Sequence, residues 1–216
     1  KSSAFKLLTN NPGNQNFQDK YSPANMVMAS SIRHDLQDKK LEIPCIDSVV
    51  DIGSPDHESV RGVIESYLLR AAALNVPYVR VRAFGSSEDI ADNTVRNLEL
   101  ILPSAEKYGI IILVETAGYF ADTSKLRDVL NTFSSDYIAA LWDMNHPYRN
   151  NNESPETTIQ NLGAYTKHIH IKDSEIVEGK TEFRLIGQGT LPLDDMINAL
   201  RSINYDGFIS LEWDPL

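Results

Sequence analysis

The sequence is poor in the residues that mark secreted proteins and nucleic-acid-binding proteins. It has one cysteine, Cys45, among 216 residues, so no intrachain disulfide can form, and a reducing cytoplasm is the simplest location. Lys and Arg total 20 against 30 Asp and Glu, and the net charge of −10 argues against nucleic acid, because phosphate contacts need clustered cations. No apolar run approaches the roughly 20 residues of a membrane-spanning helix, so we expect no membrane segment.

The rest of the composition is that of one globular domain. Hydrophobic residues make up 42% of the chain, enough for one large core. We therefore expect a single domain over residues 1–216, with an irregular, Asn-rich segment over about 1–20.

From residue 41 onward, β-like and helical patterns alternate along the chain. The predicted strands lie near 43–50, 78–82, 110–115, 138–143, 168–172 and 208–212, and the predicted helices near 22–40, 55–72, 87–108, 124–133, 155–163 and 193–203. Strict alternation is typical of a parallel sheet with right-handed crossovers. A closed (βα)8 barrel has eight strands. The predicted fold class is therefore α/β, a TIM-type barrel that is incomplete in this sequence: about six strands are readable, and the first βαβ portion and the last helix are expected to be missing.

Four apolar runs each end on a residue that can bind a metal, and these end residues are Glu115, Asp143, His170 and Glu212. One such carboxylate alone, for example Asp51, is usually a helix cap or a loop residue. Four at successive strand ends would meet at one mouth of a barrel, where barrel enzymes keep their chemistry. Three oxygen ligands and one nitrogen suit a single divalent ion such as Mn²⁺, Mg²⁺, Co²⁺ or Zn²⁺. The sequence therefore predicts a metalloenzyme.

Strand parity sorts the neighbouring ionisable residues, because every second residue of a strand shares a face. His168, His170 and Lys172 share parity, which predicts His170 in the metal layer, His168 one layer deeper in the core and Lys172 nearer the rim. Arg80 and Arg82 also share a face. If that face is the inner one, Arg82 could bind substrate or brace a ligand carboxylate; if it is the outer one, both are surface or helix-facing cations.

Several motifs resemble those of the xylose-isomerase-like TIM-barrel superfamily of sugar and sugar-phosphate isomerases and epimerases. They are Leu113-Val114-Glu115, Trp142-Asp143-Met144-Asn145-His146, His168-Ile169-His170-Ile171-Lys172-Asp173, Gly187-Gln188-Gly189 and Ser210-Leu211-Glu212-Trp213, within about residues 41–216. The resemblance implies one divalent metal held by the same four residues, Glu115, Asp143, His170 and Glu212. It also implies that His146 contacts the substrate or the surroundings of the metal ligands, and that Arg184 helps to hold the substrate.

The implied reaction is the isomerisation or epimerisation of a small sugar or sugar phosphate, by proton transfer next to a carbonyl. A divalent ion on the carbonyl and the neighbouring hydroxyl would stabilise the enediolate, while Glu115 and Glu212, on well-separated strands, act as base and acid. Lys172 and Arg184 are predicted to supply the positive charge that receives an anionic or strongly polar substrate.

The sequence leaves the oligomeric state open, including a homo-oligomer. Two alternative functions also stay open, and a third is disfavoured. A metal-dependent dehydratase of a cyclic polyol ketone would use the same enolate chemistry, and a non-catalytic sugar-binding remnant would keep the metal without turnover. An abasic-site endonuclease with three zinc ions is disfavoured, because it needs more histidines than the five present. The net charge of −10 is also unsuited to binding DNA.

Overall fold

The computed structural model describes residues 26–85 and 87–212. The described strands are β1 (Cys45–Asp51), β2 (Tyr78–Ala83), β3 (Ile111–Gly118), β4 (Ile138–Asp143), β5 (Thr166–Ile171), β6 (Asp173–Val177), β7 (Lys180–Arg184) and β8 (Ile209–Leu211). Six of them form one parallel sheet in the order β1-β2-β3-β4-β5-β8. All six predicted strands are confirmed, and the fold is an incomplete TIM barrel whose sheet, in the described residues, is open between β1 and β8.

Helices separate the strands, as the alternation predicted. They are α1 (Met26–Asp38), α2 (His57–Leu74), α3 (Ile90–Tyr108), α4 (Thr123–Leu130), α5 (Asn145–Asn151), α6 (Pro155–Leu162) and α7 (Leu193–Ser202), with a short 3-10 helix at Tyr119–Ala121. The expected irregular segment and the opening of the first predicted helix at Ser22 lie outside the described residues. No helix in the described ranges is long and apolar enough to cross a bilayer.

Two helix ends show how the local sequence sets the boundaries. The predicted start of α2, near residue 55, was wrong by two residues, because the helix begins at His57. The cap is Asp56, whose carboxylate accepts a hydrogen bond from the Ser59 N–H at 3.2 Å. At the C-terminal end of α3, Gly109 adopts the left-handed conformation with φ of 67°, which ends a helix and which glycine takes without strain.

Apolar side chains cover both faces of the sheet. The larger cluster fills the space between the strands and the outer helices, and it includes Val79, Ile112 and Ala140. A smaller cluster of Cys45, Leu113, Ala139 and Leu141 lies on the inner face. Because Leu113 and Leu141 precede Glu115 and Asp143 by two residues on their strands, they form the apolar floor beneath those carboxylates.

A β-hairpin follows β5 in the chain, and it was not predicted from the sequence. Strands β6 and β7 pair antiparallel, with Asp173 opposite Arg184 and Ser174 opposite Phe183. Glu178 and Gly179 at its tip have φ of 49° and 78°, the backbone of a tight two-residue turn. Arg184, which lies outside every predicted strand and helix, is therefore in a strand.

Candidate metal centre

The structure brings Glu115, Asp143, His170 and Glu212 together at the carboxyl ends of their strands. All four side chains are buried, and one ligand atom from each lies within 4.8 Å of the others. The sheet register explains the meeting: Asp143 lies opposite His170, which in turn lies opposite Ser210, two residues before Glu212. The four residues are of the types that hold a divalent ion.

Arg80 orients two of these carboxylates. Its Nη1 lies 2.7 Å from Glu115 Oε2 and 3.5 Å from Glu212 Oε1. The other oxygen of each glutamate faces His170 Nδ1, at 3.0 Å for Glu115 Oε1 and 3.3 Å for Glu212 Oε2. One guanidinium thus holds one oxygen of each glutamate, so that the second oxygen of each is directed to a common point.

Asp47 is a member of this network that sequence reasoning missed. It lies opposite Arg80 in the register of β1 and β2, and its Oδ1 is 3.1 Å from Arg80 Nε. Both side chains are buried. In the sequence, Asp47 and Arg80 are a carboxylate and a guanidinium on two consecutive predicted strands. That they lie side by side is known only once the register of the two strands is known.

Lys172 and His146 lie beside the other two carboxylates. Lys172 is buried, with its Nζ 2.9 Å from Asp143 Oδ2 and 3.1 Å from Glu212 Oε2. His146, on α5, has its Nε2 3.7 Å from Asp143 Oδ2 and 3.5 Å from Lys172 Nζ. Both predicted substrate contacts therefore border the four potential ligands.

Burial and neighbouring charges set the pKa values of the centre. Burial alone would raise the pKa of Glu115, but the Arg80 guanidinium and His170 outweigh it and bring that pKa to about 2. Burial alone would lower the pKa of His170, yet its hydrogen bonds to Glu115 and Glu212 raise it to about 9. Burial raises the pKa of Asp143. Without a metal, the imidazole carries a proton that offsets part of the carboxylate charge.

A count of formal charges tests whether a divalent ion fits. The buried carboxylates are Asp47, Glu115, Asp143 and Glu212, and the buried cations beside them are Arg80 and Lys172. With His170 neutral, as a metal ligand must be, four negative charges against two positive ones leave two negative charges, which one divalent ion would neutralise. The charge and the ligand chemistry both fit such an ion.

His168 lies one layer deeper on β5, as parity predicted. It is buried, and its Nε2 is 2.9 Å from Ser210 Oγ. Its ring meets that of His170 edge to face, with 5.4 Å between the centroids. Its position is that of a hydrogen-bonded core histidine.

Asp173 and the glycines of the G-x-G motif fasten the hairpin to the mouth. The Asp173 carboxylate accepts hydrogen bonds from the N–H groups of Ser174, Gly187 and Gly189, at 2.8, 2.8 and 2.9 Å. A Cβ at position 189 would collide with Asp173 Oδ1, which is why glycine is required there. Asp173 and the Gly187-Gln188-Gly189 segment therefore anchor the hairpin together.

The hairpin presents different residues on its two faces. Phe183 faces the centre, with its ring 5.5 Å from Lys172 Nζ. Arg184 is the next residue and lies on the opposite face. Its Nε is 2.8 Å from Glu175 Oε1, and its Nη2 is 2.6 Å from Glu182 Oε2. The structure therefore places Arg184 at the rim, paired with two carboxylates and apart from the four potential ligands.

Both arginines of β2 point inward, which resolves the alternative left open by parity. Arg80 is buried, and Arg82 lies closer to the mouth with its side chain 32% exposed. The Arg82 Nε is 3.7 Å from Glu115 Oε2, and its guanidinium carbon lies 5.0 Å from the centre of the Phe84 ring.

Curated proteins similar to this chain align with part of it. The uncharacterized protein MJ1311 of Methanocaldococcus jannaschii is 28% identical over 130 residues, which cover 57% of this chain and 44% of that protein. A putative hydroxypyruvate isomerase of Streptomyces coelicolor is 25% identical over 135 residues, which cover 56% of this chain and 45% of that protein. The aligned part of the chain therefore spans less than half the length of these two relatives.

Solved structures with the same fold include a D-tagatose 3-epimerase-like protein, with 22% identity, a TM-score of 0.76 and coverage of 97% of this chain and 81% of that chain. They also include the IOLI protein with a bound zinc atom, with 20% identity, a TM-score of 0.75 and coverage of 85% of this chain and 72% of that chain. A third is the probable 3-DHS dehydratase AsbF of Bacillus anthracis, with 19% identity, a TM-score of 0.69 and coverage of 88% of this chain and 79% of that chain. At these identities the likeness shows the fold alone.

The family profile described as xylose isomerase-like TIM barrel matches residues 4–215. The match covers nearly the whole chain, in agreement with the incomplete parallel barrel and with the fold of the solved structures. The chain belongs to the xylose isomerase-like TIM barrel family.

Proposed function

We propose that the protein is a divalent-metal-dependent isomerase or epimerase that transfers a proton next to the carbonyl of a sugar or sugar phosphate. The observation that carries the proposal is the pair of glutamates, Glu115 and Glu212, each with one oxygen directed to the point that His170 Nδ1 also faces. Similarity to a putative hydroxypyruvate isomerase and to a D-tagatose 3-epimerase-like structure supports this reaction class.

Glu115, Asp143, His170 and Glu212 would hold one Mn²⁺, Mg²⁺, Co²⁺ or Zn²⁺ ion. The zinc atom in the IOLI structure supports a metal at this kind of fold. When bound, a divalent ion supplies positive charge that stabilises the negative charge developing on a carbonyl oxygen.

The protein's own residues would move the proton. Glu115 and Glu212 come from β3 and β8, which β4 and β5 separate, so the two carboxylates would approach a bound substrate from different sides, as a base and an acid require. Arg80 keeps both carboxylates aimed, and the buried position of all three groups keeps bulk water from competing for the proton. Which glutamate removes the proton depends on the configuration of the substrate carbon.

Lys172, His146 and Arg184 are proposed to contact the substrate. Lys172 and His146 border the carboxylates directly and can donate hydrogen bonds to oxygens of the reacting part of the sugar. Arg184, on the rim hairpin, would contact a part that extends out of the mouth. A cytoplasmic sugar-processing role agrees with the single cysteine and the acidic composition.

The dehydratase alternative is favoured by one specific observation, the shared fold with a probable 3-DHS dehydratase and a mannonate dehydratase. The first step would be the same proton removal, after which a hydroxyl group leaves. Lys172 or His146, both next to Asp143, could protonate that hydroxyl as it departs.

One experiment separates these functions. The metal content of the protein is measured first, and a panel of ketoses, ketose phosphates and cyclic polyol ketones is then followed by NMR in D₂O. Deuterium next to the carbonyl of a recovered or isomerised sugar supports the proposal, and an unsaturated product supports the dehydratase. Bound metal without any exchange or product would overturn both and favour a sugar-binding remnant.

A further inference from the structure

The cations around the mouth differ in what they bind. Arg80, Lys172, Arg149 and Arg184 each have an oxygen partner at 2.9 Å or less. Three of these cations face carboxylates, and Arg149 is hydrogen-bonded to neutral oxygens of Ser174 and Thr190. A ligand would have to displace an existing partner to reach any of the four.

Arg82 is different. Its guanidinium makes no hydrogen bond to any residue in the described ranges, and its buried Nε has no hydrogen-bond partner there. The 3.7 Å between Nε and Glu115 Oε2 is too long for a hydrogen bond. A guanidinium has five N–H donors in a planar fork that matches carboxylate and phosphate oxygens. A donor that is out of water and unbonded is costly, unless a ligand completes it.

The Arg82 side chain is held in place without using its donors. Its guanidinium lies against the ring of Phe84, 5.0 Å from the ring centre. The backbone of Phe84 is fixed in turn, because its N–H donates to Asp51 Oδ1 at 3.1 Å, and the same oxygen accepts the Gly53 N–H at 3.0 Å. Asp51, at the end of β1, thus has a loop-holding role that keeps the aromatic surface under Arg82. A cation held in advance loses little conformational entropy when a ligand binds.

From this placement we propose that Arg82 forms an anion-binding subsite at the mouth, which takes a carboxylate or phosphate group of the substrate. The inference deepens the proposed function, on which it rests for the identity of the ligand as a sugar derivative. Because Arg82 is next to Glu115, the anionic group binds close to the carbons that react. The cation also offsets the repulsion that an anionic substrate meets from the carboxylates of an acidic protein.

The test uses three probes that share a three-carbon skeleton and differ in charge: glycerol, glycerate and glycerol 3-phosphate. Their dissociation constants are measured by ligand-observed NMR titration against the full chain, both metal-free and loaded with Mg²⁺. This measurement needs no turnover, so its outcome is separate from that of the D₂O exchange experiment. The tighter of the two anions identifies a carboxylate or a phosphate as the preferred group.

Three variants sharpen the test. In Arg82→Met, binding of the preferred anion should weaken about 10- to 100-fold relative to glycerol, the loss expected for charge-assisted hydrogen bonds. Arg82→Lys keeps the charge without the planar fork and should give an intermediate loss. Arg61→Met is the matched control, because it removes the same charge from an exposed site on α2, where Arg61 Nε lies 3.2 Å from Glu65 Oε1. It should leave the ratio of the anion and glycerol dissociation constants unchanged.

Two results would overturn the proposal. One is a wild-type protein that binds both anions no better than glycerol. The other is an Arg82→Met protein that is folded by circular dichroism and keeps the wild-type preference for the anion. If Arg82→Met does not fold, Arg82→Gln is measured instead, because it removes the charge and keeps a polar side chain. An unchanged preference for the anion in that variant would overturn the proposal.

Discussion

At the scale of single residues, Arg80 determines how the two glutamates are presented. Replacing it with methionine removes the guanidinium that Asp47, Glu115 and Glu212 share, and breaking a buried pair in this way costs about 3–5 kcal/mol. We expect Arg80→Met to lower the free energy of unfolding by about that amount and to weaken metal binding by at least about tenfold. Urea denaturation and Co²⁺ titration measure the two effects.

The companion variants separate charge from geometry. Arg80→Lys should restore most of the stability but not the metal affinity, because lysine cannot hold two carboxylates with one planar fork. Adding Asp47→Asn to Arg80→Met removes one of the negative charges that faced Arg80 and should recover part of the stability. Metal binding by Arg80→Met that equals that of the wild type would contradict the orienting role.

His170 makes the stability of the metal-free protein depend on pH. Its pKa is raised from 6.5 to about 9 in the folded state. A group with a raised pKa stabilises the fold fully below the unfolded pKa, and this contribution is lost as the pH rises through the folded one. The urea midpoint in the presence of a chelator should therefore fall between about pH 7 and pH 10. His170→Gln should flatten this fall, and an equally steep fall in the variant would contradict the assignment.

The proposed acid and base are tested by Glu115→Gln and Glu212→Gln. Each amide keeps an oxygen for a metal but cannot take up the proton, so substrate exchange in D₂O should fall by about 10²- to 10⁴-fold. Metal content should fall far less. Glu153→Gln is the control, because Glu153 is a buried glutamate that binds Thr123 and Thr158 elsewhere in the fold. Near-normal exchange in both active-centre variants would exclude these roles.

At the scale of elements, the β6–β7 hairpin depends on its anchor at Asp173. Gly189→Ala places a methyl group against Asp173 Oδ1, and we expect it to destabilise the protein by about 1–3 kcal/mol and to loosen the hairpin. Thermal unfolding and proteolysis near the Glu178-Gly179 tip measure the two effects. Gly62→Ala, in a helix with nothing within 4 Å of the new Cβ, should instead stabilise the protein. A Gly189→Ala protein with wild-type stability and protease resistance would show that the loop can relax.

The same hairpin carries Arg184. If it contacts the substrate, Arg184→Ala should raise KM or lower kcat/KM about 3- to 10-fold without changing metal affinity, since a partly exposed contact contributes modestly. The loss should be larger for a phosphorylated sugar than for its free form. Glu182→Gln is the informative companion, because it releases one of the two carboxylates that now hold the guanidinium. Equal kinetics for the wild type and Arg184→Ala would leave Arg184 as a brace of the hairpin.

The hairpin also shows where sequence reasoning stops at this scale. The strands β3 and β4 were the most predictable because they are buried apolar runs. Asp173–Arg184 is instead a mixed, charged segment with only a two-residue turn to mark it. The inward direction of Arg80 and Arg82 was likewise open, since it depends on how β2 faces the barrel.

At the scale of the whole molecule, the alternation of strands and helices was sufficient to predict an incomplete parallel barrel. The four potential ligands followed from that topology, because successive parallel strands place their ends at one mouth. Asp47 and the Phe84 support of Arg82 could not be found in this way. Both depend on contacts between strands whose relative heights are set only when the sheet assembles.

The position of Arg80 between the two glutamates has a consequence for acid–base titration. Its Nη1 lies 2.7 Å from one carboxylate and 3.5 Å from the other, and both carboxylates also meet His170 Nδ1. A proton that binds to one glutamate therefore changes the field at the other through two shared partners. Groups linked in this way release their protons in macroscopic steps, and a bell-shaped pH–rate profile would give two constants that belong to the linked pair as a whole.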